Sequence, residues 1–426
     1  MKYAYTNGVL LDGSKDMAPQ TGLVILTDND KIKAILPHGS DISGYEEIDL
    51  HGAYIMPGLI NLHVHLPASG KPKKKQQDNA KLVRIMTSNA LMRRITRAMC
   101  EGYAKTELLS GVTTIRTVGG VLDCDTAIRD RILSGAVTGP RILAANMAVS
   151  IPGGHMAGSL AHIAASPEEA AAFVRRIAKD KPDLIKLMIT GGVLDAKVKG
   201  EPGELKMPPE TVKAACEEAH RLSLVTAAHV ESPEGLRVAL ENGVDTIEHG
   251  AKPDAEIIEL FRTRGACLIA TLSPALPYAF FDRSVSHVSE MEQYNGKVVF
   301  NGIVECVRAC LENGIPVGLG TDTGCPYTTH YDMWRELTYF CKYCGVSPAF
   351  ALYTATRRNA ELAGIGDITG SIEAGKCADF VVTKADPLED LSALRNIEMV
   401  VARGNVIRKP KVKKMPAVEQ ALDSYL

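Results

Sequence analysis

Along the middle of the chain, short apolar runs alternate with longer stretches of a different period. Eight runs read as strands: LINLHVH (59–65), VTTIRTV (112–118), RILAANMAV (141–149), DLIKLMI (183–189), LVTAAHV (224–230), VDTIEHG (244–250), CLIATL (267–272) and PVGLGTD (316–322). They are short and nearly continuous in apolar character, as strands covered on both faces must be. Between them, segments such as PEEAAAFVRRIAKD and PPETVKAACEEAHRL place apolar residues at helical spacing. Several open on Pro or an acid in the first turn, a helix-start signal. Eight β–α units in succession predict a closed parallel barrel rather than an open sheet. A doubly wound sheet would want fewer strands and a Gly-rich phosphate turn after the first, and no G-x-G-x-x-G stands there.

The two ends of the chain have another texture. TGLVILTDNDKIKAIL and EEIDLHGAYIMPG near the start, and GSIEAGKCADFVVTK and IEMVVARGNVIR near the end, alternate apolar with polar residues between turn formers. They predict a small β-sandwich domain built from both ends, residues 1–57 plus 364–426. Residues 58–363 are then a (β/α)8 TIM barrel of the α/β class. The length of 426 residues suits one large barrel with a smaller attached domain.

Polar residues inside such strands are the informative exceptions. His63 and His65 lie two apart at the end of the first run, so both point to one side, toward the barrel mouth. Lys186 interrupts the fourth run, His229 ends the fifth, His249 follows Glu248 at the end of the sixth, and Asp322 ends the eighth. The C-terminal ends of barrel strands open onto one face, where active sites form. Each residue has a blander explanation. A single strand-end His is often a hydrogen-bonded core group, an Asp after a strand a helix cap, a strand Lys an exposed edge. An interior ammonium is costly unless paired or neutralised. Six independent coincidences would be needed, so a metal centre held by His63, His65, Lys186, His229, His249 and Asp322 is expected. Imidazole and carboxylate suit Zn²⁺, and also Fe²⁺, Mn²⁺, Co²⁺ or Ni²⁺.

Composition adds exclusions. A net charge of −2 and 5% aromatic residues give no case for nucleic acid or an anionic membrane. The basic runs KPKKK (71–75) and RKPKVKK (408–414) read as a solvated loop and tail, with a subunit contact or an anionic substrate group as the sharper alternative for the first. The N-terminal MKYAYTNGVLLDG has no apolar h-region, and no apolar run is long enough to span a membrane. Ten cysteines without a secretory signal point to a reducing cytoplasm; Cys341 and Cys344 read as two packed thiols.

The stretches PGLINLHVHL, SGVTTIRTVGG, GGHMAG, DLIKLMITGGV, AAHVESPEG, GVDTIEHG, LGTDTG, ALYTATRRNAELAG and GSIEAGKCADFVV run from about residue 5 to 405. In this order they resemble the amidohydrolase superfamily, and more narrowly its branch of imidazolonepropionases and Xaa-Pro dipeptidases. The resemblance implies that His63, His65 and Asp322 hold the more buried metal, and that His229 and His249 hold the more exposed one. Lys186 would be an N6-carboxylysine bridging both, a carbamate anion that the cations neutralise. Imidazolonepropionases are similar but work with one metal and lack this lysine, so Lys186 argues for the two-metal, peptidase-like side.

The implied cofactors are two divalent ions, zinc first among them. The implied reaction is hydrolysis of an amide C–N bond in a small molecule, such as a dipeptide or N-acyl amino acid, by a metal-bridging hydroxide. Asp322 would carry the proton from that hydroxide to the leaving nitrogen. His155, in PGGHMAG, resembles the family's histidine that hydrogen-bonds the developing oxyanion; a loop His capping backbone is its plainer reading. A homo-oligomer is also implied.

Some positions depart from the pattern. Dipeptidases of this branch carry Tyr two residues after the strand-5 His, where it helps bind the substrate carboxylate; here that position is Glu231. An anion would repel that carboxylate. Either the substrate lacks it, or Lys71, Lys73 or His330 receives it; a cationic or donor group fits Glu231 better. The bland alternative makes Glu231 a first-turn acid of the next helix, before Pro233. Thr117 stands where relatives often have Asp, which should disturb the pairing of a structural Arg116. Cys325 should line the pocket, as packing or as a substrate contact. The stretch 71–99 is long for a first β–α connection and should build part of the mouth or a subunit contact. Hydrolysis of a cyclic amide (a lactam, imidazolone or hydantoin ring) is the competing activity, and a non-catalytic barrel scaffold a remote one, since no ligand is lost.

Overall fold

The computed structural model describes residues 1–72 and 78–426. Lys73, named above as an alternative carboxylate partner, lies outside the described residues, as do Lys74 and Lys75 of the first basic run.

The eight parallel barrel strands are Leu59–Val64, Val112–Thr117, a split third strand, Leu184–Met188, Val225–Val230, Thr246–His249, Cys267–Ala270 and Val317–Leu319. They are numbered 1 to 8 below. The third expected run is not continuous: it forms Arg141–Leu143 and Ala148–Ser150. Asn146 breaks it. Its φ is 61°, its carbonyl accepts from Gly120 N–H at 2.8 Å, and its side chain accepts from Thr126 N–H at 3.1 Å. The first piece belongs to a sheet with strands 1 and 2, the second to a seven-stranded sheet running through strands 4 to 8. The barrel closes between strands 8 and 1. Asp322 N–H donates to His63 O and His65 N–H to Thr323 O, each at 2.9 Å. Gly320 permits this approach: a Cβ there would stand 2.4 Å from His63 Cβ and 2.5 Å from His63 N.

Helices Pro167–Ala178, Pro209–Arg221 and Pro233–Glu241 each begin on proline, which loses nothing where the N–H is unpaired anyway. Ser166 and Ser232 cap two of them, accepting from Glu169 N–H and Gly235 N–H. Among the described residues, the long first connection contains two helices, Asn79–Thr87 and Ala90–Leu109.

The two chain ends meet in β-structure, as their alternation implies. One five-stranded sheet has the order Asn405–Arg408, Ile397–Ala402, Phe380–Thr383, Tyr54–Pro57, Val9–Leu10; a four-stranded one has Lys31–Pro37, Leu23–Asp28, Lys2–Thr6, Glu46–Asp49. Tyr5, Ile25, Ile48, Ile55, Phe380 and Val401 form their shared core, with the Tyr5 and Phe380 rings edge to face at 5.5 Å. Beyond the basic tail, whose Arg408, Lys409, Lys411 and Lys413 are exposed, the chain forms a further helix, Pro416–Asp423. Compactness divides the chain into Met1–Leu62 with Ala104–Ile115 and His330–Leu426, and His63–Tyr103 with Arg116–Thr329. No described helix is long and apolar enough to cross a membrane.

Candidate metal centre

The second of these units holds the residues that interrupt the apolar strands. His63, His65, Lys186, His229, His249 and Asp322 are all buried. His63 Nε2 and His65 Nε2 face the same oxygen, Asp322 Oδ1, at 3.4 and 3.2 Å. The His63 and His249 rings are 4.8 Å apart between centroids, and those of His229 and His249 are 4.6 Å apart. Among the described residues, donor atoms of His63, His249 and Asp322 lie within 4.8 Å of one another, and so do those of His229, Glu231 and His249.

Backbone conformation makes this convergence possible. His249 and Asp322 both adopt positive φ, 67° and 55°. Such values are unusual for residues with a Cβ and cluster at functional sites. The turn at His249 breaks the two-residue alternation, so Glu248 and His249 both reach the interior. Gly119, at φ 152°, stands where a Cβ would come within 3.0 Å of the His65 ring.

Hydrogen bonds select which nitrogen each ring presents. His63 Nδ1 donates to Glu248 Oε2 at 2.7 Å, His65 Nδ1 to Gly119 O at 2.9 Å, and His249 Nδ1 contacts Thr271 Oγ1 at 2.7 Å. In the first two rings the Nε2 lone pair is thereby left for a ligand bond. Glu248 also accepts both Arg116 bonds, at 2.7 and 2.8 Å, and Thr246 Oγ1 at 2.9 Å. The expected disturbance of Arg116 by Thr117 is therefore corrected. Arg116 takes its carboxylate from strand 6, while the Thr117 hydroxyl accepts from Ala145 N–H at 3.2 Å.

The electrostatics fit cation binding. Burial, with the Lys186 charge adding to it, pushes the His63 imidazole down to about 4. Burial and neighbouring imidazoles hold His229 and His249 well below the usual range. Neutral imidazoles are the form that binds metal. Burial opposes ionisation of Asp322, yet the rings of His63, His65 and His249 hold its carboxyl well below the usual range. Lys186 is brought down to about 8 by burial, against the pull of Glu248 and Asp322. Its Nζ is buried and has no hydrogen-bond partner among the described residues.

The other expected site residues divide. His155 stacks on His229, ring centroids 4.2 Å apart and planes 7° apart, and its Nδ1 lies 2.5 Å from Asp195 Oδ2. Glu231 Oε2 is buried and has no hydrogen-bond partner among the described residues. Burial, then the charges of Asp322 and Asp195, push its carboxyl up to about 8. The Cys325 thiol points at Asp322 Oδ2 from 3.5 Å. His330 lies in the other compact unit, buried with its Nδ1 3.3 Å from Glu107 Oε1. Lys71 is exposed. Cys341 and Cys344 are free thiols on helix Met333–Cys344. Sequence reasoning passed over Glu248, although a carboxylate inside an apolar strand was the same signal that singled out Lys186. Nothing in the sequence marked Asp195, which lies in an irregular loop, or Thr271.

The sequence model of the amidohydrolase family matches residues 54–407. The chain belongs to the amidohydrolase family. Ochratoxinase of Aspergillus niger is 25% identical over 442 aligned residues, covering 96% of this chain and 86% of that protein. Imidazolonepropionase of Pseudomonas savastanoi pv. phaseolicola is 26% identical, covering 81% and 82%. Among solved structures, a putative prolidase from Bifidobacterium longum superposes with a TM-score of 0.87 at 35% identity, covering 99% of this chain and 98% of the other. A Xaa-Pro dipeptidase with methionine bound in its active site gives 0.83 at 29%, covering 96% and 100%. This amidohydrolase is a hydrolase of carbon–nitrogen bonds with the (β/α)8 barrel and appended β-domain of its relatives. The family works with a metal centre, and the clusters around His249 offer donors of the kind such a centre takes.

Proposed function

We propose that this amidohydrolase cleaves the amide bond of a dipeptide or N-acyl amino acid at a centre of two divalent metal ions, zinc first among the candidates. His63, His65 and Asp322 would hold the more buried ion and His229 and His249 the more exposed one, with Lys186 as N6-carboxylysine between them. The observation that carries this reading is Lys186 Nζ, buried and without a hydrogen-bond partner among the described residues. An amine in that position adds to the carbon of CO₂ and releases one proton, and the resulting carbamate is an anionic two-oxygen donor. Carboxylation would turn the buried amine into an anion whose oxygens the cations neutralise, which removes the cost of an isolated buried ammonium.

Bound there, the two ions would supply a deprotonated water at neutral pH and polarise the substrate carbonyl. The protein's own groups do the rest. Asp322 takes the remaining proton of the attacking hydroxide and delivers it to the leaving nitrogen. The Cys325 thiol, against the far oxygen of Asp322, packs behind that carboxylate and helps fix its direction. His155, with Nδ1 committed to Asp195, presents Nε2 to the substrate oxygen as negative charge develops there. His330 is left out of the substrate site because it is buried against Glu107.

A second reading, hydrolysis of a cyclic amide, is favoured by Glu231, which stands where a dipeptidase-like phenol would receive a substrate carboxylate. The experiment assays the zinc- and bicarbonate-loaded protein on a dipeptide and N-acyl amino acid library beside lactam and hydantoin rings. Turnover confined to the rings would replace the first reading by the second.

A cytoplasmic homo-oligomer acting on small molecules completes the proposal. Ten free thiols support the compartment. The exposed side chains of Leu82, Ile85, Leu91 and Ile95, on the two helices of the first connection, support self-association.

A further inference from the structure

We infer that Glu231 is a third protein ligand of the more exposed metal, beside His229 and His249. The inference rests on the two-metal reading and extends its donor set, since the dipeptidase-like pattern has Tyr at this position.

Three observations converge. Donor atoms of His229, Glu231 and His249 lie within 4.8 Å of one another, the spacing of ligands around one ion. Glu231 Oε2 is buried and, among the described residues, has no hydrogen-bond partner. A carboxylate oxygen in that state needs a cation or a donor. Finally, the bland role for this acid is already filled. The helix after strand 5 spans Pro233–Glu241 with Ser232 as its N-cap, and its first-turn acid is Glu234. Glu231 precedes the cap, one residue past the end of strand 5, and its carboxylate lies on the side of His229 and His249.

The position is also held firmly. Glu231 N–H donates to Thr190 Oγ1 at 3.0 Å. On its other side Gly203 approaches so closely that a Cβ there would lie 2.2 Å from Glu231 O. A backbone pinned from two sides keeps the carboxylate from swinging away, which is the preorganisation a ligand needs. A carboxylate beside two imidazoles is a familiar donor set for zinc and its neighbours.

The test loads wild type, Glu231→Gln and Glu231→Asp with zinc in bicarbonate buffer and titrates each with dipicolinate, counting metal per chain by plasma mass spectrometry. Wild type should hold two ions. E231Q should release its second ion at chelator concentrations at least about tenfold lower, by analogy with the 10–100-fold losses that follow even indirect perturbation of metal ligands. E231D should fall between. In cobalt-loaded samples the visible spectrum should change for the second ion alone. If E231Q does not fold, E231D and Glu231→Tyr carry the same comparison. Variants that keep two ions with the wild-type chelator curve, while substrate preference changes, would overturn the inference and leave the two-metal reading standing. Wild type that never binds more than one ion would overturn both.

Discussion

His63 and Glu248 form a buried pair in which Nδ1 donates to Oε2 across 2.7 Å. The carboxylate comes from strand 6 and the imidazole from strand 1. Burial alone would raise Glu248, but the Arg116 guanidinium and the His63 bond hold it well below the usual carboxylate range. One side chain thus fixes a ring and neutralises a buried cation. Glu248→Gln should keep the fold and weaken metal binding by about 10–100-fold, as changes behind a metal-ligating histidine do. Glu248→Ala should also cost about 3–5 kcal/mol of stability, because it removes the countercharge and every side-chain acceptor that Glu248 offers Arg116, whereas Gln keeps one acceptor and should lose less. Chelator titration and denaturant midpoints separate the effects; equal stability of the two variants would refute this division.

Gly320 sets the distance between strands 8 and 1 at His63. A Cβ at 2.4 Å from His63 Cβ forces a shift that no rotamer change relieves. Gly320→Ala should lose about 1–3 kcal/mol and much of its metal. Gly102→Ala, inside helix Ala90–Leu109 where an added Cβ meets nothing within 4 Å, should instead gain about 0.5–1 kcal/mol. Thermal melts of the two variants would decide; matching shifts in one direction would count against the steric account.

Asp195 holds His155 in one orientation through a 2.5 Å bond, and Asp195 Oδ2 also accepts Gly192 N–H at 2.9 Å. Asp195→Asn should lower kcat by about 10–100-fold, a fraction of what a general acid contributes, with metal content unchanged. Asp195→Glu should recover part of it. A fall in metal content in step with kcat would show a structural role instead.

The C-terminal helix engages a buried cation. Arg335 is fully buried and bonds Asp332 at 3.1 Å, Glu419 at 3.3 Å and Asp423 at 2.6 Å. A chain ending at Met415 removes two of those three acids, and should be less stable by about 3–5 kcal/mol, read as a lowered denaturation midpoint. An unchanged midpoint would mean that water replaces the helix without cost.

The barrel and the ligand-bearing strand ends were legible because buried parallel strands tolerate few polar residues, so His63, His65, Lys186 and Asp322 stand out against Leu, Ile and Val. The arrangement behind them was less so. Strict alternation sends only one of Glu248 and His249 inward, and the left-handed turn at His249 that admits both leaves no trace in the pattern. Asn146 splits strand 3 through tertiary bonds to Gly120 and Thr126, which a local apolar run does not reveal. Asp195 meets His155 across forty residues of chain, a contact made by loop geometry. Local pattern makes Glu231 a helix-opening acid, but Ser232 caps that helix and leaves Glu231 one residue outside it, with Glu234 as the first-turn acid.

Metal-dependent amide hydrolysis is tested most directly by amine release from a dipeptide and N-acyl amino acid library by one preparation, before and after its metals are stripped and restored. Release should occur on at least one substrate, vanish with the metals, and return with zinc and bicarbonate in wild type but not in Lys186→Ala. Release at full rate from the stripped protein would contradict the account.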